Sequence, residues 1–136
     1  MAVRSILFAC NMNSVRSPMA EAIAKQLLGE DIRVDSCGVY EGIEDPFVAM
    51  VLKEKDIPAP AHTPQDFGQV NLADYDLVIA LTAKAAGEAR RLGAKVEFWE
   101  TPNPTDVRGP EAALMDAYRA ARDGLTQKIT EHFVKR

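Results

Sequence analysis

The chain has 136 residues, 47% of them hydrophobic and 26% charged, the length and composition of one globular domain. A formal net charge of −4 argues against a general nucleic-acid binder. No apolar run approaches the ~18 residues of a membrane-spanning helix, and the first residues lack the layout of a signal peptide.

The first apolar run, Ile6-Leu7-Phe8-Ala9, predicts a buried strand because it is short, continuous and bounded by polar residues. Ser17 and Pro18 predict an N-cap and a first helical position, with Glu21 in the first turn. Ala20, Ile23, Ala24, Leu27 and Leu28 then recur at helical spacing over residues 17–29, and Gly29 closes the helix. Arg33 to Cys37, ending at Gly38, predicts a second strand. Asp45-Pro46 repeats the cap-and-proline signal for a helix with Phe47, Met50 and Val51 on one face. Residues 58–64 carry three prolines and form a loop. Leu77-Val78-Ile79-Ala80-Leu81 is the clearest buried strand. Ala83 to Leu92 predicts a helix stopped near Gly93, and Lys95 to Trp99 a strand. After a proline-rich loop over 100–110 comes a long helix from Glu111 to Val134. Leu114, Tyr118, Ala121, Leu125 and Ile129 lie three or four apart on it, and Arg119, Arg122 and Asp123 are expected on its solvated face. The βαβαβαβα order, without repeat or linker, predicts an α/β fold. It is a single domain over 1–136, a four-stranded parallel sheet with helices on both faces in three layers.

The chemistry lies in Cys10-Asn11-Met12-Asn13-Ser14-Val15-Arg16-Ser17-Pro18, where a cysteine stands six residues before an arginine. Strand, short polar loop and helix N-terminus is the geometry that turns backbone N–H groups toward an anion. Arg16 adds a planar cationic fork matched to two phosphate oxygens. These dipoles and the cation favour a charged sulfur at Cys10. An anion cradle with a nucleophile in it implies phosphoryl transfer through a cysteinyl-phosphate. The spacing alone is weak; the strand before it and Ser-Pro after it strengthen it, since a structural cysteine explains neither. In an open parallel sheet the ligand sits beyond the carboxyl ends of the strands, so the loops after the first strand and after Trp99 share one edge. Neither metal nor organic cofactor is expected: His62 and His132 lack paired-ligand spacing, and no glycine-rich nucleotide motif occurs.

The stretch from Cys10 to Glu21 resembles the phosphate loop of the low-molecular-weight protein tyrosine phosphatases; arsenate reductases that share their fold carry a similar loop. The likeness extends through Asp35-Ser36-Cys37-Gly38, Asp74-Tyr75-Asp76-Leu77-Val78-Ile79 and Trp99…Asn103-Pro104. The resemblance implies Cys10 as nucleophile, Arg16 as binder of the phosphoryl oxygens, Ser17 as donor to the thiolate and Asn13 as brace of the loop. Asn11, Met12, Asn13, Ser14 and Val15 would surround the phosphoryl group.

This chain departs from the family's pattern at several positions. Asn103 stands where the family has an aspartic acid, and an amide cannot deliver a proton as a carboxylic acid does. Either Asp106, three residues on, acts as the acid, or the chemistry proceeds without a full one. Val15 replaces a second cysteine, which removes a protective disulfide, and Met12 replaces a glycine. The family's aromatic residues after the acid are absent. That leaves Tyr40 either as a wall for a substrate ring or as an ordinary half-exposed tyrosine. Residues 80–90 hold none of the relay thiols of thiol-coupled arsenate reductases, and Cys37 reads as a small buried residue.

The expectation is a monomeric phosphatase in the reducing cytoplasm, hydrolysing phosphotyrosine on proteins or small aryl phosphate monoesters and weakened by Asn103. Inorganic phosphate would be product and inhibitor, with neither nucleic acid nor membrane as partner. The alternatives are a phosphate-ester binding or regulatory module with little turnover, and an arsenate reductase using an external thiol.

Overall fold

The structure, a computed structural model, describes residues 3–60 and 63–134. Strands β1 (Ser5–Cys10), β2 (Arg33–Gly38), β3 (Leu77–Ala80) and β4 (Val96–Phe98) form one parallel sheet in the order β2-β1-β3-β4. The helices are α1 (Arg16–Leu28), α2 (Pro46–Lys53), α3 (Ala83–Arg91) and α4 (Glu111–Ile129), the last continued by a π turn over Thr130–Val134. Every residue of β1 is buried, because a central parallel strand meets helices on both faces. Its alternation divides the core. Ile6, Phe8 and Cys10 face α1, α2 and α4, packing with Val34, Ile79, Trp99 and Tyr118. Leu7 and Ala9 face α3, packing with Cys37, Val78, Ala80, Ala85, Ala86 and Ala89. No helix among the described residues is long and apolar enough to cross a membrane.

Register assembles the functional edge. The pairs Cys10↔Gly38 and Ala9↔Ala80 set the carboxyl ends of β1, β2 and β3 side by side. Asp45 caps α2 through the Phe47 N–H with Pro46 at the first position, as its sequence signal predicts. Thr82 caps α3 by accepting from the Ala85 N–H.

Elsewhere local signals are overruled by tertiary contacts. Ser17 is not an N-cap: α1 starts at Arg16 with Val15 in the cap position, and the buried Ser17 hydroxyl faces Cys10 instead. Glu21 lies beyond the first turn, 2% exposed, held by Ser36 and Lys25 rather than by the helix dipole. Leu27 and Met50 face water, and Val48, Val51 and Leu52 form the buried stripe of α2. Arg122 is not on a solvated face: only 4% exposed, it donates to the Val51 carbonyl and to Glu54, tying α4 to α2. The short 3-10 turns Phe67–Gln69 and Leu72–Asp74 carry no apolar periodicity that would mark them in the sequence.

Candidate active site

The loop joining β1 to α1 is held by its own carbonyls. The N–H groups of Val39, Tyr40 and Gly42 donate to the carbonyls of Cys10, Asn11 and Met12 at 3.0, 2.8 and 2.9 Å. In a trans peptide the N–H lies opposite the C=O, so these bonds turn the following N–H groups away from segment 39–42, as an anion cradle requires. Gly38 permits this approach: a Cβ there would lie 2.7 Å from the Asn13 nitrogen and 2.8 Å from the Asn11 and Tyr40 oxygens. Asn13 takes a left-handed backbone, φ 53°, which its short polar side chain tolerates. Its Nδ2 donates to Ser17 Oγ and Ser36 Oγ, both at 2.9 Å, and its Oδ1 accepts from the Gln65 N–H at 2.9 Å.

Cys10 is 2% exposed, with Sγ 3.0 Å from Ser17 Oγ. Because Asn13 donates to that oxygen, the single Ser17 proton is left for the sulfur or for the Cys37 carbonyl at 3.2 Å. Ser36 Oγ donates to Glu21 Oε1 at 2.6 Å, and Lys25 Nζ meets Glu21 Oε2 at 2.6 Å. A polar chain thus runs from the sulfur to the surface. Ser36, Gln65 and Thr82 join the site without any local signal in the sequence. The signal for Glu21 was a carboxylate set among Ala20, Ala22, Ile23 and Ala24. Thr82 Oγ1 donates to Asn11 Oδ1 at 2.8 Å, and Arg16 Nη1 to the Thr101 carbonyl at 3.0 Å. Burial, with the charges of Cys10 and Asp66, pushes the Cys37 thiol well up, and that thiol packs on the other side of the sheet.

A cleft of about 550 Å³ opens over Cys10, walled by Met12, Val15 and Ile43, with Arg16 and Asn103 also in its lining. Glu41, Glu44 and Asp45 make its mouth acidic; Asp45 is engaged by the Phe47 N–H and the Tyr118 hydroxyl. Asn103 uses Oδ1 to cap the short turn Pro104–Asp106 through the Thr105 N–H. The structure places Asp106 in an adjoining hollow of about 440 Å³, with Arg16, Thr82, Glu100 and Thr101, rather than in the cleft of Cys10. Tyr40 is also outside that cleft's lining; Lys84 Nζ sits 4.7 Å from its ring centroid. His62 lies outside the described residues, and among the described residues no cluster of His, Cys, Asp or Glu could hold a metal ion.

The family model described as low molecular weight phosphotyrosine protein phosphatase matches residues 5–134. The chain is 32% identical over 130 residues to arsenate reductase 1 of Staphylococcus haemolyticus, covering 94% of this chain and 93% of that one. Among solved structures it is similar to the YwlE arginine phosphatase of Geobacillus stearothermophilus, with 29% identity and a TM-score of 0.76 over 93% of this chain and 88% of that one. An arsenate reductase in its phosphate-binding state matches with 25% identity and a TM-score of 0.78 over 97% and 98% of the two chains.

Proposed function

Because the chain belongs to the low molecular weight phosphotyrosine protein phosphatase family, we propose that it is a cysteine-dependent phosphatase acting on phosphotyrosine or small aryl phosphate monoesters. The observation that carries this reading is Cys10 in a cleft lined by Arg16, its sulfur 3.0 Å from Ser17 Oγ. The Cys10 thiolate attacks phosphorus, an S–P bond forms, and the P–O bond to the aryl group breaks. Arg16 and the loop N–H groups meet the charge on the transferring phosphoryl oxygens. Water then attacks phosphorus, the S–P bond breaks, and inorganic phosphate leaves. Asn103 cannot protonate the leaving oxygen, and Asp106 lines the adjoining hollow, which shares Arg16 and Asn103 with the cleft of Cys10. Aryl leaving groups suit such a site because phenolates depart more readily than alkoxides.

The second reading, arsenate reduction with an external thiol, is favoured by the names of the curated relatives. Against an internal disulfide relay stands the cysteine arrangement: Cys10 and Cys37 are the chain's 2 cysteines and pack in the cores on opposite faces of the sheet. The deciding experiment compares phosphate release from para-nitrophenyl phosphate and phosphotyrosine with arsenate-dependent consumption of supplied thiols. Phosphoarginine belongs in the panel, since a structural neighbour is named an arginine phosphatase and Glu41 and Glu44 line the cleft mouth. Phosphate release lost in Cys10→Ser, without arsenate-dependent thiol loss, is the expected result. Thiol loss without phosphatase turnover reverses the conclusion, and phosphate-ester binding with neither activity leaves a binding module.

A further inference from the structure

Both halves of the phosphate cradle are registered on the carboxyl end of β3. Thr82, just beyond that strand, donates from Oγ1 to Asn11 Oδ1 at 2.8 Å. Its neighbour Leu81 is fully buried; its N–H donates to the Ala9 carbonyl at 2.8 Å and its carbonyl accepts from the Thr101 N–H at 3.0 Å. The Thr101 carbonyl in turn accepts from Arg16 Nη1 at 3.0 Å. The pair Leu81–Thr82 therefore contacts the first loop residue after the nucleophile directly and reaches the arginine through one intermediate. Thr82 is itself immobilised. Its single hydroxyl proton goes to Asn11, while the Ala85 N–H, in the first turn of α3, donates to the same oxygen at 3.0 Å. Asn11 is then gripped from two sides, by Thr82 at its side chain and by the Tyr40 N–H at its carbonyl. Rotation of the first cradle peptide breaks one of these bonds.

We infer that Thr82 is a positioning residue for phosphoryl binding, acting through Asn11 to hold the start of the cradle in register with Arg16. The inference rests on the reading of the Cys10–Arg16 loop as a phosphoryl site.

The test is titration calorimetry of inorganic phosphate into the full chain, with para-nitrophenyl phosphate kinetics alongside. Asn11→Ala removes only the side-chain contact, Thr82→Val removes the contact and the cap of α3, and Thr82→Ser retains both. Loss of one hydrogen bond predicts a rise of ~3–10-fold in the phosphate Kd, and in KM, for Asn11→Ala and Thr82→Val. Thr82→Ser should restore wild-type affinity, and the double variant should bind no worse than the weaker single variant. A cap-only role would lower the Tm of Thr82→Val and leave phosphate affinity unchanged in Asn11→Ala; that result overturns the inference, as do additive losses. Phosphate affinity that depends on Thr82, in a protein that never turns over the aryl ester, sinks the phosphatase reading and upholds this one.

Discussion

For the proposed phosphatase chemistry, Asn103 is the residue on which efficiency turns. It lines the cleft over Cys10 with its Oδ1 accepting from the Thr105 N–H, so a carboxyl there has one oxygen in that cap and the other for a proton. Asn103→Asp should raise kcat toward para-nitrophenyl phosphate, bounded by the ~10²–10⁴-fold ascribed to general acids, with a larger gain for alkyl phosphates. Steady-state kinetics on the two ester classes checks this, and no gain on either removes the argument. Asp106→Ala should change aryl turnover little, because Asp106 lines the neighbouring hollow; a deep loss would assign it the acid role. At Gly38 the constraint is steric. Gly38→Ala forces a methyl against backbone atoms at 2.7–2.8 Å and should destabilise the fold by about 1–3 kcal/mol in urea titration. The strand–loop–helix that brings Cys10 and Arg16 to one cleft was legible because a strand, a turn and a helix start lie within a few residues. Ser17 shows the limit: its cap-like sequence context is genuine, yet its hydroxyl is drawn to the sulfur instead.

Among elements, the docking of α4 on α2 depends on charges that composition assigned to solvent. Arg122 donates to Val51 O at 2.8 Å and to Glu54 Oε1 at 2.7 Å, and Arg119 makes further contacts to the same carboxylate. Hydrogen bonds from Arg119 and Arg122 hold the Glu54 carboxyl down at about 2, against an ordinary value of 4.5. A carboxyl depressed in the folded state contributes stability that is present above the unfolded value and is lost as pH falls toward the folded one. Wild type should therefore exceed Glu54→Gln in stability near neutrality, and the gap should close between pH 4.5 and about 2. Urea midpoints measured across that range check it. High salt should narrow the neutral-pH gap, because the pair is exposed. Arg122→Ala also strands the Val51 carbonyl and should cost about 1–3 kcal/mol. The cap of α2 was readable from Asp45-Pro46, whereas helix-to-helix charge pairing was not, since partners 65 and 68 residues apart leave no local pattern.

At the scale of the whole molecule the sheet separates the chain's two thiols. Cys10 packs with α1, α2 and α4, and Cys37 with α3, so peroxide should convert Cys10 to a sulfenic acid with no internal disulfide to trap it. Mass analysis after oxidation and alkylation should show no Cys10–Cys37 cross-link, and activity should return only with an added thiol. A cross-linked species would require the sheet to open.

The amino-acid pattern by itself determined the strands and long helices, their parallel layering and the loop that carries Cys10 and Arg16, because burial periodicity, helix caps and a six-residue spacing are local properties of a chain. Tertiary structure alone decided what surrounds that pair. Asn13 meets Ser36 across 23 positions and Gln65 across 52, Asn11 meets Thr82 across 71, and Arg16 meets Thr101 across 85. Such partners are brought together by strand register and by the loops that register aligns, and a hydroxyl or an amide carries no local mark of the distant group it will meet.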